Sequence, residues 1–286
     1  MVALDSRFSI SSRELWHVIG TADTPQLVDV RRRDVFETAQ GVLPGSSWHA
    51  ASDVIRWSRE LDRERPVVVA CKAGHELSQS AVAQLRADGF DAMVLEGGYA
   101  VWAEAGLPLI TKATLDRLAP HRPSLWVTRR RPKIDRVACP WLIRRFIDPQ
   151  AKFLYVDPQD VPAVARESGG VPFDIEGIEI SHEGERCSFD TMLKLFGLEA
   201  APSLAKLALI VRGADTARLD IAAEAAGLHA ISLGLSAMAG DDDHGMIAKG
   251  FMLYDALFAW IRFAANERHN WVPTKPEDQA EARAAW

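Results

Sequence analysis

The chain is poor in cysteine, with three in 286 residues. Three thiols cannot close a fully paired disulfide framework, and a chain of this length does not need one. A small disulfide-stapled secreted scaffold is therefore excluded, and each thiol is free, catalytic or a ligand. Long apolar runs are also missing. No stretch reaches the roughly 18 apolar residues of a membrane-spanning helix, so no membrane insertion is expected. The opening residues carry Asp5, Arg7, Arg13 and Glu14 and lack the apolar segment of a secretory signal. The expected location is cytoplasmic. Positive charge is not in surplus: 33 Lys and Arg stand against 39 Asp and Glu, a formal net charge of −6. That balance argues against a general nucleic-acid coat, though not against a local basic patch. No internal repeat is visible.

What is present is ordinary for a globular protein. Hydrophobic residues make up 48% and charged residues 25%, which excludes wholesale disorder and a collagen-like chain. The length suggests two domains. In the first part, Ser11-Ser12-Arg13-Glu14 is a capping-box pattern for a helix. Strands are predicted at Gln26 to Val30, Pro66 to Cys71 and Ala92 to Leu95, and a helix over Ser78 to Asp88 that ends at Gly89. Strands alternating with helices predict a parallel sheet with helices on both faces. Residues 111–123 read as a joint, with a short helix over Thr111 to Leu118 broken by Pro120 and Pro123. The pattern restarts with strands at Leu125 to Thr128 and Lys152 to Val156 around a helix from Val137 to Phe146. Ile178-Glu179-Ile180 is strand-like. Helices then follow over Ser188 to Phe196, Ser203 to Val211 with a stop at Gly213, and about Met246 to Ala265. The tail from Thr274 is polar.

Cys71 follows a buried strand, and Lys72-Ala73-Gly74-His75-Glu76-Leu77 leads from it into a helix. Strand, loop and helix N-terminus gather partial positive charge at one point, which lowers a thiol pKa and suits an anion. Gly74 lets the backbone approach an oxyanion or a persulfide. Here the chain resembles a single-domain rhodanese over about 100 residues. Asp29-Val30-Arg31, Gly41-Val42-Leu43-Pro44-Gly45-Ser46, Cys71 and Leu95-Glu96-Gly97-Gly98-Tyr99-Ala100-Val101-Trp102 fall in that family's order. The resemblance implies a sulfurtransferase-like domain with Cys71 as the persulfide-carrying nucleophile. Lys72 and His75 are candidate catalytic residues beside it, and Gly74 and Arg31 candidates for holding the anion. Glu76 stands where the family has Arg, and Val42 where it has His. A carboxylate there repels a bound anion, offset in part by Lys72 and His75, and leaves two readings open: weakened sulfur transfer, or an inactive module with an inert Cys71.

Between Arg122 and Arg145 eight basic residues (Arg122, Arg129, Arg130, Arg131, Lys133, Arg136, Arg144 and Arg145) face one acid, Asp135. A solvated face or internal ion pairing accounts for such a cluster more readily than nucleic acid does. No aromatic-interleaved RNA motif or helix-turn-helix accompanies it. Arg136 and Arg212 are candidates for a small oxyanion. Cys139-Pro140-Trp141 lies early in a helix with Asp135 just before it. Cys139 is either an activated thiol or a small buried hydrophobe. His182-Glu183-Gly184-Glu185-Arg186-Cys187-Ser188-Phe189-Asp190 gathers one His, one Cys and three acids between a strand-like segment and a helix. With Asp215 of Arg212-Gly213-Ala214-Asp215, they offer His182, Glu183, Asp190 and Asp215 as ligands for Fe, Mn or Zn, with Glu185 as an alternative and Cys187 as a further thiol. The competing reading leaves His182 as a hydrogen-bonded structural residue. Ser188 and Asp241 to Asp243 read as helix N-caps.

The ordered set Lys133 to Ile143, His182-Glu183-Gly184, Cys187-Ser188-Phe189 and Arg212 to Asp215 resembles the ChrB-type chromate-resistance domain over roughly residues 124–270. Rhodanese-like modules fused ahead of this domain belong to that family's repertoire, and the loop with Gly74-His75-Glu76 resembles that fused subgroup. The expected fold class is α/β: a rhodanese-like open parallel sheet flanked by helices over 1–110, a linker over 111–123, an α-rich α/β domain over 124–273 and a polar tail over 274–286. The resemblance implies a role in chromate resistance beside a membrane efflux partner. Three functions follow. The first is an oxyanion-stress protein that binds chromate, thiosulfate or a sulfate-like ion. The second is a chromate-responsive DNA-binding regulator, disfavoured by the net charge. The third is a metal-dependent enzyme of the second domain.

Overall fold

The computed structural model describes residues 8–267; the polar tail of the sequence reading lies outside them. The first half runs β1 (Ser9–Ile10), α1 (Ser12–Val18), β2 (Gln26–Asp29), α2 (Arg33–Glu37), β3 (Gly41–Val42), β4 (Ser47–Trp48), α3 (Val54–Trp57), β5 (Val67–Ala70), α4 (Glu76–Ala87), β6 (Ala92–Leu95) and α5 (Gly98–Glu104). Five strands form a parallel sheet in the order β1-β6-β5-β2-β4. The capping box forms as read: Ser11 accepts from the Glu14 amide, and Glu14 accepts from the Ser11 amide. Strand β5 is buried throughout because its alternate side chains enter different cores. Val67, Val69 and Cys71 pack with Val82 and Leu85 of α4 on one face. Val68 and Ala70 face the other way, into a cluster that continues to Phe146, Trp141 and Phe258 of the second half.

That continuity makes the joint more than a tether. Ile110–Thr111 (β7) pairs antiparallel with β3, and Lys112–Leu118 forms α6. Leu115 and Ala119 are buried in the shared core. The second half continues with β8 (Leu125–Arg129), α7 (Asp135–Leu142), a π turn over Ile143–Ile147, β9 (Lys152–Val156), α8 (Val161–Ser168), β10 (Val171–Pro172), α9 (Ser188–Leu195), α10 (Pro202–Asp215), α11 (Ala225–Ala239) and α12 (Asp243–Ala259). Strands β10-β8-β9 form a small parallel sheet.

Two local expectations are corrected. Ile178 to Ile180 is irregular, because the chain between β10 and α9 folds into turns around a left-handed Asp174. Helix α10 runs through Gly213 to Asp215. Gly213 is there for packing: a Cβ on it would lie 2.8 Å from Ala225 Cβ of α11. Helix α11 itself is absent from the sequence reading. Among the described residues no helix is long and apolar enough to cross a membrane.

Candidate functional site

Cys71 sits where β5 ends and the loop into α4 begins. The loop is held from behind by the next strand–helix corner. The Tyr99 and Ala100 amides donate to the Cys71 and Lys72 carbonyls, both at 2.9 Å. Gly98, at φ +58°, lies against the Cys71 carbonyl so closely that a Cβ would collide with it. Gly74, at φ +73°, makes the same close approach from the other side, with a Cβ position 2.8 Å from the Leu95 carbonyl oxygen. This packing turns the loop amides inward. Burial pushes the Cys71 thiol up, but the Ser78 hydroxyl and the amides of Ala73, Ser78 and His75 bond its sulfur and bring the pKa below that of an ordinary thiol. The Ser78 Oγ to Sγ distance is 3.2 Å. Lys72, His75 and Glu76 are all exposed on the loop and first turn, where water screens the Glu76 carboxylate from the sulfur. Arg31 does not reach an anion. It is 1% exposed, is paired with Asp29 at 2.6 Å, and has its guanidinium carbon 3.9 Å from the Tyr99 ring centroid. The buried Asp29 carboxylate already neutralises it.

A second cluster is built from four distant segments. Asp135 opens α7, Asp174 follows β10, His182 stands in the turns before α9, and Asp215 ends α10. His182 Nε2 lies 3.3 Å from Asp135, 3.6 Å from Asp174 and 3.2 Å from Asp215. Donor atoms of Asp135, Asp174 and His182, and of Asp135, Asp215 and Cys187, converge within 4.8 Å of one another. Asp135 and Asp174 are 3% and 2% exposed, whereas His182 is 43% exposed and forms the open side. Burial opposes charge on Asp135, yet the His182 hydrogen bond and charge hold it ionised, below the usual carboxylate range. Asp215 is pushed up to about 8 by burial and by the neighbouring Asp135 charge. His182 is raised to about 8, chiefly by its bond to Asp135. So many acids in one buried pocket is costly without a cation among them. Protons and the His182 charge offset that cost here.

The remaining expectations divide. Glu183 leaves the cluster: it pairs across a tight turn with Arg186 and lies 3.3 Å from Lys194. Asp190 is diverted to Arg212, which holds it with two bonds of 3.0 and 2.5 Å, and it also accepts from the Cys187 amide. Arg212 is therefore not available to an oxyanion. Arg136 is likewise engaged, its Nε 3.0 Å from Asp174, which also takes 2.6 Å from Arg129 and a bond from Ser188. These partners orient Asp174 toward the cluster. Glu185 reaches Arg218 at 2.6 Å instead. Cys187, not Ser188, caps α9. Asp242 caps α12 by accepting from the Gly245 amide. Cys139 is fully buried, and burial drives its thiol well above the ordinary value. Burial does the same to Cys187. Asp174 carried no signal in the sequence, and Asp135 only its place before a helix.

Residues 11–105 match the rhodanese-like domain family, and residues 126–261 match the ChrB C-terminal domain. The chain is a rhodanese-like domain joined to a ChrB C-terminal domain. Its second half is 38% identical over 133 residues to Protein ChrB of Cupriavidus metallidurans, a match covering 46% of this chain. The chain thus spans 39% of that protein's length. The rhodanese-like half is 32% identical over 90 residues to a sulfurtransferase of Allochromatium vinosum, covering 31% of this chain and 83% of the relative. A rhodanese-related crystal structure from Thermoplasma volcanium aligns at 27% identity over 36% of this chain and 98% of its own, with a TM-score of 0.32. In this rhodanese–ChrB chain the thiol loop falls in the first matched region, and the whole carboxylate–histidine cluster falls in the second.

Proposed function

We propose that this chain acts in resistance to chromate or a related oxyanion, and that its ChrB domain holds one divalent ion of Fe, Mn or Zn between Asp135, Asp174, His182 and Asp215. One observation carries the reading: three acids from three separate segments, two of them buried, converge on a half-exposed imidazole from a fourth. Carboxylate and imidazole donors suit these metals, and the exposed His182 side leaves room for a small ligand. The Cys187 sulfur lies within 4.8 Å of donor atoms of Asp135 and Asp215. The charge balance also speaks against a DNA-binding face on the basic stretch. Arg129 and Arg136 pair with Asp174, Arg130 with Asp157, and Arg145 with Asp255.

The test is metal analysis of protein purified without a chelating tag. One equivalent of Fe, Mn or Zn is expected. Asp135→Asn should weaken metal binding at least about tenfold, as losing even an outer partner of a metal site does. Glu183→Gln should leave it unchanged within about twofold, because Glu183 faces Lys194. Metal absent from the native protein, or unaffected by Asp135→Asn, refutes the centre.

The Cys71 environment favours a second activity in the rhodanese half. The thiolate attacks the outer sulfur of thiosulfate, forming a Cys71 persulfide and releasing sulfite, and an acceptor thiol or cyanide then takes the sulfur. Four donors around Sγ would stabilise the attacking thiolate.

A further inference from the structure

Between the two halves lies a cavity of about 320 Å³ lined by Thr24 and Arg65 from the rhodanese-like side and by Arg144, Arg145, Pro149 and Phe251 from the ChrB side. None of its lining residues belongs to the thiol loop or to the carboxylate cluster. Three guanidinium groups border it and no acid does. Asp255 neutralises Arg145 through a two-bond contact of 2.9 and 2.6 Å. Arg65 and Arg144 have no such partner: no carboxylate of a described residue lies within 4 Å of either. Each is anchored by one bond to a backbone carbonyl, Arg65 to Thr24 at 2.7 Å and Arg144 to Ala151 at 3.0 Å. Phe251 and Phe153 lie under the Arg144 guanidinium, its carbon 5.8 and 5.3 Å from the ring centroids. These contacts orient the side chains and leave most of their N–H donors unused.

Two guanidinium groups without a carboxylate partner on one cavity, Arg65 half-buried and Arg144 exposed, favour an anion between them. We infer that this seam is a binding site for a tetrahedral dianion, either free or as the phosphate of a larger molecule. The uncompensated charge is two, which matches sulfate, chromate or hydrogen phosphate. Forked guanidinium donors suit such oxygens better than ammonium groups do. A neighbouring cavity of about 430 Å³ shares Arg65 and Pro149; its lining adds Trp48, Trp57 and Arg122 but also Glu60, Asp116 and Asp148, so it has room for the uncharged part of a larger ligand while the phosphate stays between Arg65 and Arg144. Because Arg65 comes from one half and Arg144 from the other, occupancy ties the two domains together.

Isothermal titration of the full chain with sodium sulfate, sodium chromate and adenosine monophosphate, each against sodium chloride at equal ionic strength, tests this. At least one dianion is expected to bind above the chloride control. Arg65→Gln and Arg144→Gln should each weaken that binding about tenfold or more, the cost of a lost charged hydrogen bond. Arg166→Gln, an exposed arginine on α8, should change it less than about twofold. Sulfate or chromate binding lost in the variants assigns a free dianion. Binding of the nucleotide alone, lost in the same variants, assigns a phosphate-bearing ligand. Where a glutamine variant fails to fold, Arg65→Lys with Arg144→Lys keeps the charges and removes the forked geometry, and a loss of about threefold or more is expected. Heats equal to those of chloride, or affinity unchanged in the variants that fold, overturns the site.

Discussion

Cys71 and Cys139 are both buried, yet their thiol pKa values move in opposite directions. Burial raises both thiols. Around Cys71 a hydroxyl and three amides outweigh that cost, whereas Cys139 meets apolar neighbours and the Asp135 charge. The consequence is measurable as pH-dependent alkylation. Cys71 should react with iodoacetamide as a thiolate with a midpoint below that of an ordinary thiol, so its rate rises with pH and levels off early. Ser78→Ala removes the hydroxyl donor and should move the midpoint upward and slow the reaction near neutral pH by several-fold, on the order of one charged hydrogen bond. A midpoint that stays put in this variant would mean the hydroxyl does not set the thiol's acidity. Cys139 and Cys187 should label only on unfolding. The same contrast explains Arg31 and Arg136. The sequence offers both as oxyanion ligands, but each has a carboxylate within 3.0 Å, and paired charge does not attract an oxyanion strongly.

At the scale of elements, the loop before α4 depends on the glycine corner before α5. Gly98→Ala would bring a methyl into the Cys71 carbonyl and strain a left-handed backbone at once. It should lower the denaturant-derived stability by about 2 kcal/mol or more and displace the thiol loop, so that Cys71 alkylation slows as well. Gly106→Ala, also left-handed but with nothing within 4 Å of a Cβ, should cost only about 1 kcal/mol and leave Cys71 reactivity alone. Equal effects from both would show that close packing at Gly98 is unimportant. Strands such as β5 and helices such as α4 were legible because their apolar spacing repeats within a few residues. Helix α11 was not. Ser232 and Ser236 face its core while Ile231, Leu233 and Met238 are exposed, so its apolar positions do not trace the buried face. Ile178 to Ile180 misled for the reverse reason: alternation was present, but the backbone there turns to deliver Asp174 and His182.

For the molecule as a whole, the two halves share one core. Phe146, fully buried in the π turn after α7, contacts the rings of Trp16 in α1 and of Trp141 and Phe258 in the second half. Gly20 presses so close to Phe146 that no Cβ fits, and the Gly45 amide donates to the Phe146 carbonyl at 2.6 Å. Arg262, in the π turn after α12, adds bonds to the Trp16 and Ile19 carbonyls. Calorimetry should therefore show one unfolding transition. Phe146→Ala should remove about 3–5 kcal/mol, either lowering that single midpoint or splitting the transition as the halves uncouple. Two separate transitions in the unaltered protein would contradict a shared core.

The amino-acid sequence alone determined the alternation of strands and helices, the place of Cys71 at a strand–helix junction, and the candidacy of His182 and Asp215. Those signals act over a few residues, through side-chain period, turn chemistry and local donors. Tertiary structure decided which acids join His182. Asp135 is 47 residues away in the chain and yet bonds it at 3.3 Å, while the adjacent Glu183 turns outward. It also decided which arginines stay uncompensated, leaving Arg65 and Arg144 at a seam no local pattern marks. Charge pairing and desolvation depend on distance and burial in three dimensions, and contacts across the fold set both.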